Sequence, residues 1–299
     1  MRRMAAGLLA ALALAVSGCA AIAPADETPR IVVTTNILGD VVQSVVGDEA
    51  EVLTLMKRNA DPHSFEISAQ EAASLGDADL IVSNGLGLEE GLQQHLDRAE
   101  AEGARMLAAG DVVDVLPYAE GGAPDPHFWT DPARMVEVVD ALEAAVAHIP
   151  GIDAAVVGGN ADAYRSELAT LDEEMTAAFA AIPEERRALV TNHHVFGYLA
   201  DRFDFRVIGA VIPGGTTLAA PSAADLRDLA GAIEEAGVPT IFAESSQPDR
   251  LVQVLASEVG IEVDVVELFT ESLTEPGEGA DTYLTMMRAN TERISQGLS

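Results

Sequence analysis

The chain has 299 residues, 49 of them acidic against 17 basic, and a formal net charge of −32. A surface of that sign repels nucleic acid and offers no basic face to anionic lipid. A hydrophobic content of 48% can fill one large domain or two lobes of ordinary size, and a single cysteine excludes an internal disulfide and a thiolate metal cluster.

The amino terminus reads as an export signal. Arg2 and Arg3 precede a short apolar run over 4–16, too short to span a bilayer comfortably, and Ser17-Gly18-Cys19 follows with small residues before the cysteine. The order Val16-Ser17-Gly18-Cys19 resembles a bacterial lipobox, which implies lipidation of Cys19 after cleavage; the alternative is a plain signal with an incidental cysteine. The Ala-, Pro- and acid-rich stretch 19–29 then reads as a tether.

From residue 30 onward strands alternate with helices. Strands are expected over 30–35, 51–56, 79–83 and 104–107, with helices over 37–46, 69–75, 88–101 and 132–148, the last capped by Asp131 with Pro132 in its first turn. Such alternation predicts a parallel sheet covered on both faces, with ligands held beyond the carboxyl ends of the strands. Asp61-Pro62-His63 and Asp125-Pro126-His127 both fall in such loops. Proline stiffens each loop and aims one imidazole, and two aimed imidazoles make half of a tetrahedral metal site. Asn84-Gly85-Leu86-Gly87 lacks the dinucleotide glycine spacing and is followed by Glu89 and Glu90, which would repel a phosphate, so this turn is structural. His95 reads as a solvated helix residue, and His148 falls in the last turn of its helix, where a cation suits the helix dipole.

Apolar residues at Tyr164, Leu168, Leu171, Met175, Phe179 and Ile182 make a helical stripe within 153–182, ended by Pro183. A helix of that length suits a strut between two lobes. Alternation resumes with strands over 188–191, 206–212, 240–243 and 263–268 and helices over 194–201, 222–236, 248–259 and 282–294. His193 and His194 follow the first of these strands, and spacing alone does not choose between them. Asp281 precedes the closing helix, where a cap is the simple reading and ligation through the other oxygen the second.

Taken together, Asp61-Pro62-His63-Ser64-Phe65-Glu66, Asn84-Gly85-Leu86-Gly87-Leu88-Glu89, Pro126-His127-Phe128-Trp129-Thr130-Asp131-Pro132, His193-His194-Val195-Phe196-Gly197-Tyr198, Phe242-Ala243-Glu244 and Asp281-Thr282-Tyr283 resemble the cluster A-I solute-binding proteins of ABC transporters. The second lobe is most similar to the AztC type of zinc receptor. The resemblance implies two Rossmann-like α/β lobes joined by one long rigid helix, divided at 1–18, 19–29, 30–152, 153–183 and 184–299, with zinc in the cleft. It implies His63, His127, His193 and Asp281 as ligands, with His194 beside them. Two departures stand out: the segment 115–125 is short and lacks histidine, and His194 replaces a common acid. Three imidazoles and a carboxylate favour zinc over manganese, and neutral imidazoles predict affinity that falls below about pH 6.5. The implied partners are a membrane permease and a periplasmic zinc metallochaperone, with the protein itself an exported, lipid-anchored monomer. The rival readings are a receptor of the same family for manganese or another divalent metal, a secreted zinc hydrolase, which would leave Asp281 free and a coordination position open, and a surface adhesin. No His-Glu-x-x-His helix or Gly-x-Ser-x-Gly elbow supports hydrolysis.

Overall fold

The computed structural model describes residues 28–118, 122–212 and 214–299; the leader and Cys19 lie outside them. The first lobe holds β1 (Arg30–Val33), α1 (Asn36–Val46), β2 (Glu51–Thr54), α2 (Ala69–Ser74), β3 (Leu80–Ser83), α3 (Gln93–Ala101), β4 (Met106–Ala108) and α4 (Pro132–Val146). After the long α5 (Ala154–Ala180) the second lobe follows with β5 (Ala188–Thr191), α6 (Gly197–Phe203), β6 (Arg206–Ala210), α7 (Ala223–Ala236), β7 (Thr240–Glu244), α8 (Arg250–Glu258), β8 (Asp264–Leu268) and α9 (Tyr283–Leu298). Each lobe has a four-stranded parallel sheet, ordered β2-β1-β3-β4 in one and β6-β5-β7-β8 in the other. The same order of succession in both makes the lobes topological copies.

Strand periodicity divides the cores. Ile31 and Val33 of β1 face one core with Leu80 and Val82 of β3, while Val32 and Ile81 face the opposite layer, as a period of two requires. The second lobe does the same, with Leu189 and Phe242 on one side and Val190 and Ile241 on the other.

The larger core is shared. It runs from Ile31 and Val41 in the first lobe through Leu168, Leu171, Met175 and Phe179 of α5 to Leu189, Phe242 and Met287 in the second. The whole predicted stripe from Tyr164 to Ile182 is buried. α5 is about 40 Å long at 1.5 Å per residue, and it is not an isolated strut: it packs on α1, α4 and α9. Phe179 meets Phe203 and Phe205 edge-on, with ring centroids 5.2 and 5.0 Å away.

Several expected boundaries move by a few residues, as where the helix expected from 194 begins at Gly197 and the strand expected from 104 begins at Met106. The helix expected from 88 begins at Gln93, because Glu89 turns inward and is buried. Its carboxylate accepts from Thr34 Oγ1 (2.6 Å), Asn84 N (2.7 Å) and Gly85 N (3.2 Å). These bonds tie β1 to the turn after β3, so the turn is structural, and burial pushes the Glu89 carboxyl up. No described helix is long and apolar enough to cross a membrane.

Candidate metal centre

The loops after β2, β4, β5 and β8 converge at the carboxyl ends of both sheets. They bring together His63, His127, His193 and Glu271, whose potential ligand atoms all lie within 4.8 Å of one another. All four side chains are buried. His127 Nε2 stands 3.5 Å from His63 Nε2 and 3.3 Å from His193 Nε2. These spacings match the roughly 3.4 Å edge of a tetrahedron with bonds of about 2.05 Å, the length zinc makes to imidazole. Glu271 Oε1 lies 2.9 Å from His63 Nε2 and 3.2 Å from the Nε2 atoms of His127 and His193. Its Oε2 is buried without a hydrogen-bond partner.

Behind two of the imidazoles stand further carboxylates. Asp125 Oδ1 takes the His127 Nδ1 hydrogen at 2.7 Å, which leaves Nε2 as the free donor atom facing the centre. Glu244, at the end of β7, contacts His193 Nδ1 and accepts from Asn192 Nδ2 at 3.0 Å. Asp125, Glu244 and Glu271 are all buried, and among the described residues none forms an ion pair with lysine or arginine. Buried carboxylates need a cationic counterpart. With only imidazoles in contact, the proton load shifts onto them. Burial opposes the charged form of His193, but the Glu271 and Glu244 carboxylates outweigh it and raise its pKa well above the ordinary value. His127 is raised against burial in the same way by Asp125 and Glu271, while Glu271 is driven well below its ordinary range by His193 and the imidazole hydrogen bonds despite its burial.

The structure brings His63, His127 and His193 together and does not bring Asp281 with them. Asp281 lies ten residues beyond Glu271, partly exposed, and its carboxylate accepts from Gly277 N at 3.0 Å and Thr285 Oγ1 at 3.3 Å. These bonds close the loop ahead of α9, and the first of them holds the Asp281 carboxyl below its usual range. Nor is Asp281 the helix cap: Thr282 is, in a reciprocal pair with Thr285. The fourth place is filled by Glu271, three residues past the end of β8. Its position beyond a strand's carboxyl end is the only sequence signal that singles it out. His194 is half-buried beside the site, near the Tyr118 ring (centroids 6.4 Å), and burial, followed by the neighbouring His193, lowers its pKa. His95 and His148 are exposed.

Glu271 belongs to the second lobe by sequence and is gripped by the first. Asn36 Nδ2 donates to Ser272 Oγ (2.8 Å) and Asn36 Oδ1 accepts from Leu273 N (2.9 Å). Asn59 N donates to Leu273 O at 3.0 Å, and Trp129 Nε1 to Thr270 O at 2.9 Å. Asn36→Ala would leave the buried Leu273 N–H without its acceptor, at a cost of about 1–3 kcal/mol. By loosening Glu271 it should also weaken metal binding roughly 10–100-fold, as losses of ligand-supporting residues do. Thermal unfolding of the metal-free protein and a chelator competition measure the two effects separately.

The comparisons with known proteins agree with this geometry. A family profile described as the zinc-uptake complex component A, periplasmic, matches residues 31–297. The zinc-binding protein TroA of Treponema pallidum is 31% identical over 93% of this chain and 91% of its own. The manganese-binding lipoprotein MntA of Halalkalibacterium halodurans is 26% identical over 96% of both chains, and the manganese ABC transporter substrate-binding lipoprotein PsaA of Streptococcus pneumoniae is 28% identical over 90% of this chain and 89% of its own. The solved structure of the periplasmic zinc-binding protein TroA superposes with a TM-score of 0.85 at 29% identity, covering 91% of this chain and all of that one. The shared double-lobed fold, the three converging histidines and a profile match over nearly the whole described chain place it in the zinc-uptake complex component A family, the metal-binding solute receptors of ABC transporters, and thus among binding components rather than enzymes.

Proposed function

We propose that this protein is the zinc receptor of an ABC importer, holding the ion on His63, His127, His193 and Glu271 and delivering it to a membrane permease. The observation that carries this reading is electrostatic. Three buried carboxylates surround three converging imidazole nitrogens, with no lysine or arginine among their described ion-pair partners, so a divalent cation is the counter-charge that fits. Nitrogen-rich donor sets suit zinc better than manganese, which prefers harder oxygen. The names of TroA, MntA and PsaA carry both metals, and one feature favours the second. Glu271 Oε2 is buried without a partner, so a carboxylate binding through both oxygens would add a fifth, harder donor. Extracytoplasmic anchoring through Cys19 is part of the same proposal, supported by the lipoprotein names of MntA and PsaA.

The test is metal content of the purified mature chain followed by competition between the two ions. One zinc per chain, retained against a roughly tenfold excess of manganese, is the expected result. A chain that takes up manganese and fails to retain zinc would overturn the metal assignment and leave the receptor reading standing.

A further inference from the structure

The two Asp-Pro-His triplets are identical in sequence and differ in use. Asp125 spends its carboxylate on its own histidine, Oδ1 accepting from both His127 Nδ1 (2.7 Å) and His127 N (3.0 Å). Asp61 accepts only the backbone N–H of His63, at 2.9 Å through Oδ1, and leaves the buried His63 Nδ1 without a partner. Its Oδ2 turns away from the imidazole. That atom accepts from Ser64 Oγ of its own loop at 2.9 Å, from Thr217 Oγ1 at 2.7 Å and from Gln247 Nε2 at 2.8 Å. Thr217 and Gln247 belong to the second lobe, in the loops after β6 and β7 respectively.

We propose that Asp61 is a positioning residue that clasps the second lobe onto the His63 loop and so sets how long a captured ion stays. This rests on the receptor reading above. Asp61 is only 8% exposed, so these bonds to a carboxylate form largely out of water, where they are stronger than neutral ones. The other side-chain bonds nearby that cross from the 214–217 loop are weaker in kind. Thr216 Oγ1 donates to Glu90 Oε1 at 2.9 Å in an exposed setting, and Tyr118 OH donates to Gly215 O at 3.1 Å between neutral groups. The Glu271 loop is meanwhile held by Asn36, Asn59 and Trp129 on the first lobe. Separation of the lobes at the His63 side therefore cannot proceed without breaking the two Asp61 bonds, the strongest that cross there. Because the same carboxylate holds His63 N–H, that separation is passed directly to a ligand.

The test uses Thr217→Val with Gln247→Met, a pair that removes both second-lobe donors and touches no metal ligand. Zinc release to an excess of chelator is followed by stopped flow, and the absorption spectrum of the cobalt-loaded protein reports the coordination sphere. Release should quicken by about 10²- to 10⁴-fold, as expected for two hydrogen bonds to a charged acceptor, with the cobalt spectrum unchanged. Thr217→Val alone, a near-isosteric change, should give an intermediate rate and guards against misfolding of the double variant. Wild-type release rates in both variants would overturn the clasp. So would a changed cobalt spectrum, which would mean that the bonds shape the coordination itself. A wild-type chain that holds no metal would defeat the receptor reading before any variant is compared.

Discussion

Glu271→Ala should weaken zinc retention by on the order of 10²–10⁴-fold, whereas Asp281→Ala should leave it within about twofold of wild type. The contrast follows from where the two carboxylates lie. Glu271 is buried, with Oε1 2.9–3.2 Å from three imidazole Nε2 atoms. Taking one member out of a buried charge cluster costs about 3–5 kcal/mol, or an affinity loss on the order of 10²–10⁴-fold. Asp281 is partly exposed and bonded to Gly277 and Thr285, and surface changes of that kind stay within about 0.5 kcal/mol. Competition with a chromophoric chelator measures both, with circular dichroism as the check on folding. Equal losses in the two variants would return Asp281 to the ligand set and remove Glu271 from its central place.

The second large effect is on pH. A histidine whose pKa is raised must give up its proton before Nε2 can bind metal. His193 is held well above 6.5 by Glu271 and Glu244, which outweigh its burial, and His127 is raised by Asp125 and Glu271. Proton competition therefore sets in above pH 6.5, not below it as free imidazoles would predict. Zinc affinity should fall by about tenfold per pH unit of acidification for each proton displaced, beginning above the pH at which a free imidazole would compete. The metal-free protein moves in the opposite sense. A raised folded pKa contributes stability that is fully present below the unfolded value of 6.5 and is lost as pH rises through the folded value. Glu271, depressed well below 4.5, contributes above that value and loses its contribution only as pH falls through its folded pKa. The metal-free chain thus weakens with rising pH over the range in which zinc binds better. The zinc-induced rise in Tm should widen steadily as pH rises above 6.5, and a rise that stays constant there would count against the His193–Glu271 pairing.

Much of this architecture is readable from the residues. Alternation of strand and helix, the Asp131-Pro132 helix start and the Tyr164–Ile182 stripe are local signals, and the structure bears them out. His63 and His127 announce themselves by their repeated triplet. His193 and His194 differ only in burial, which spacing cannot supply: one is fully buried and the other half-exposed. Glu271 is harder still. It is one acid among 49, with no repeated context, and it is held in place by Asn36, whose bonds reach 236 and 237 positions along the chain. Asp281-Thr282-Tyr283 is a better landmark because it starts a helix, and that is what it marks: Thr282 caps α9, while Tyr283 N donates to Asp40 Oδ2 and Tyr283 OH to Trp129 O. Glu244 stands out in the sequence only as part of a landmark, and its role against His193 depends on the side-by-side pairing of β5 and β7.

The grip of the first lobe on the carboxyl-terminal segment also bears on how the protein comes into being. Glu271 is the fourth residue of the proposed metal site, and α9 returns to pack on α1 and α5, so segment 271–299 completes a core begun by β1 and α1. Partnerships spanning most of the chain form late, because the loop they close is long. A polypeptide emerging amino end first would carry two of its imidazoles in the first lobe long before the rest of the site could assemble. Capture of the ion is thereby reserved for the finished molecule: a nascent or truncated chain lacking 271–299 has neither the carboxylate that balances the site nor the helix that seals the shared core.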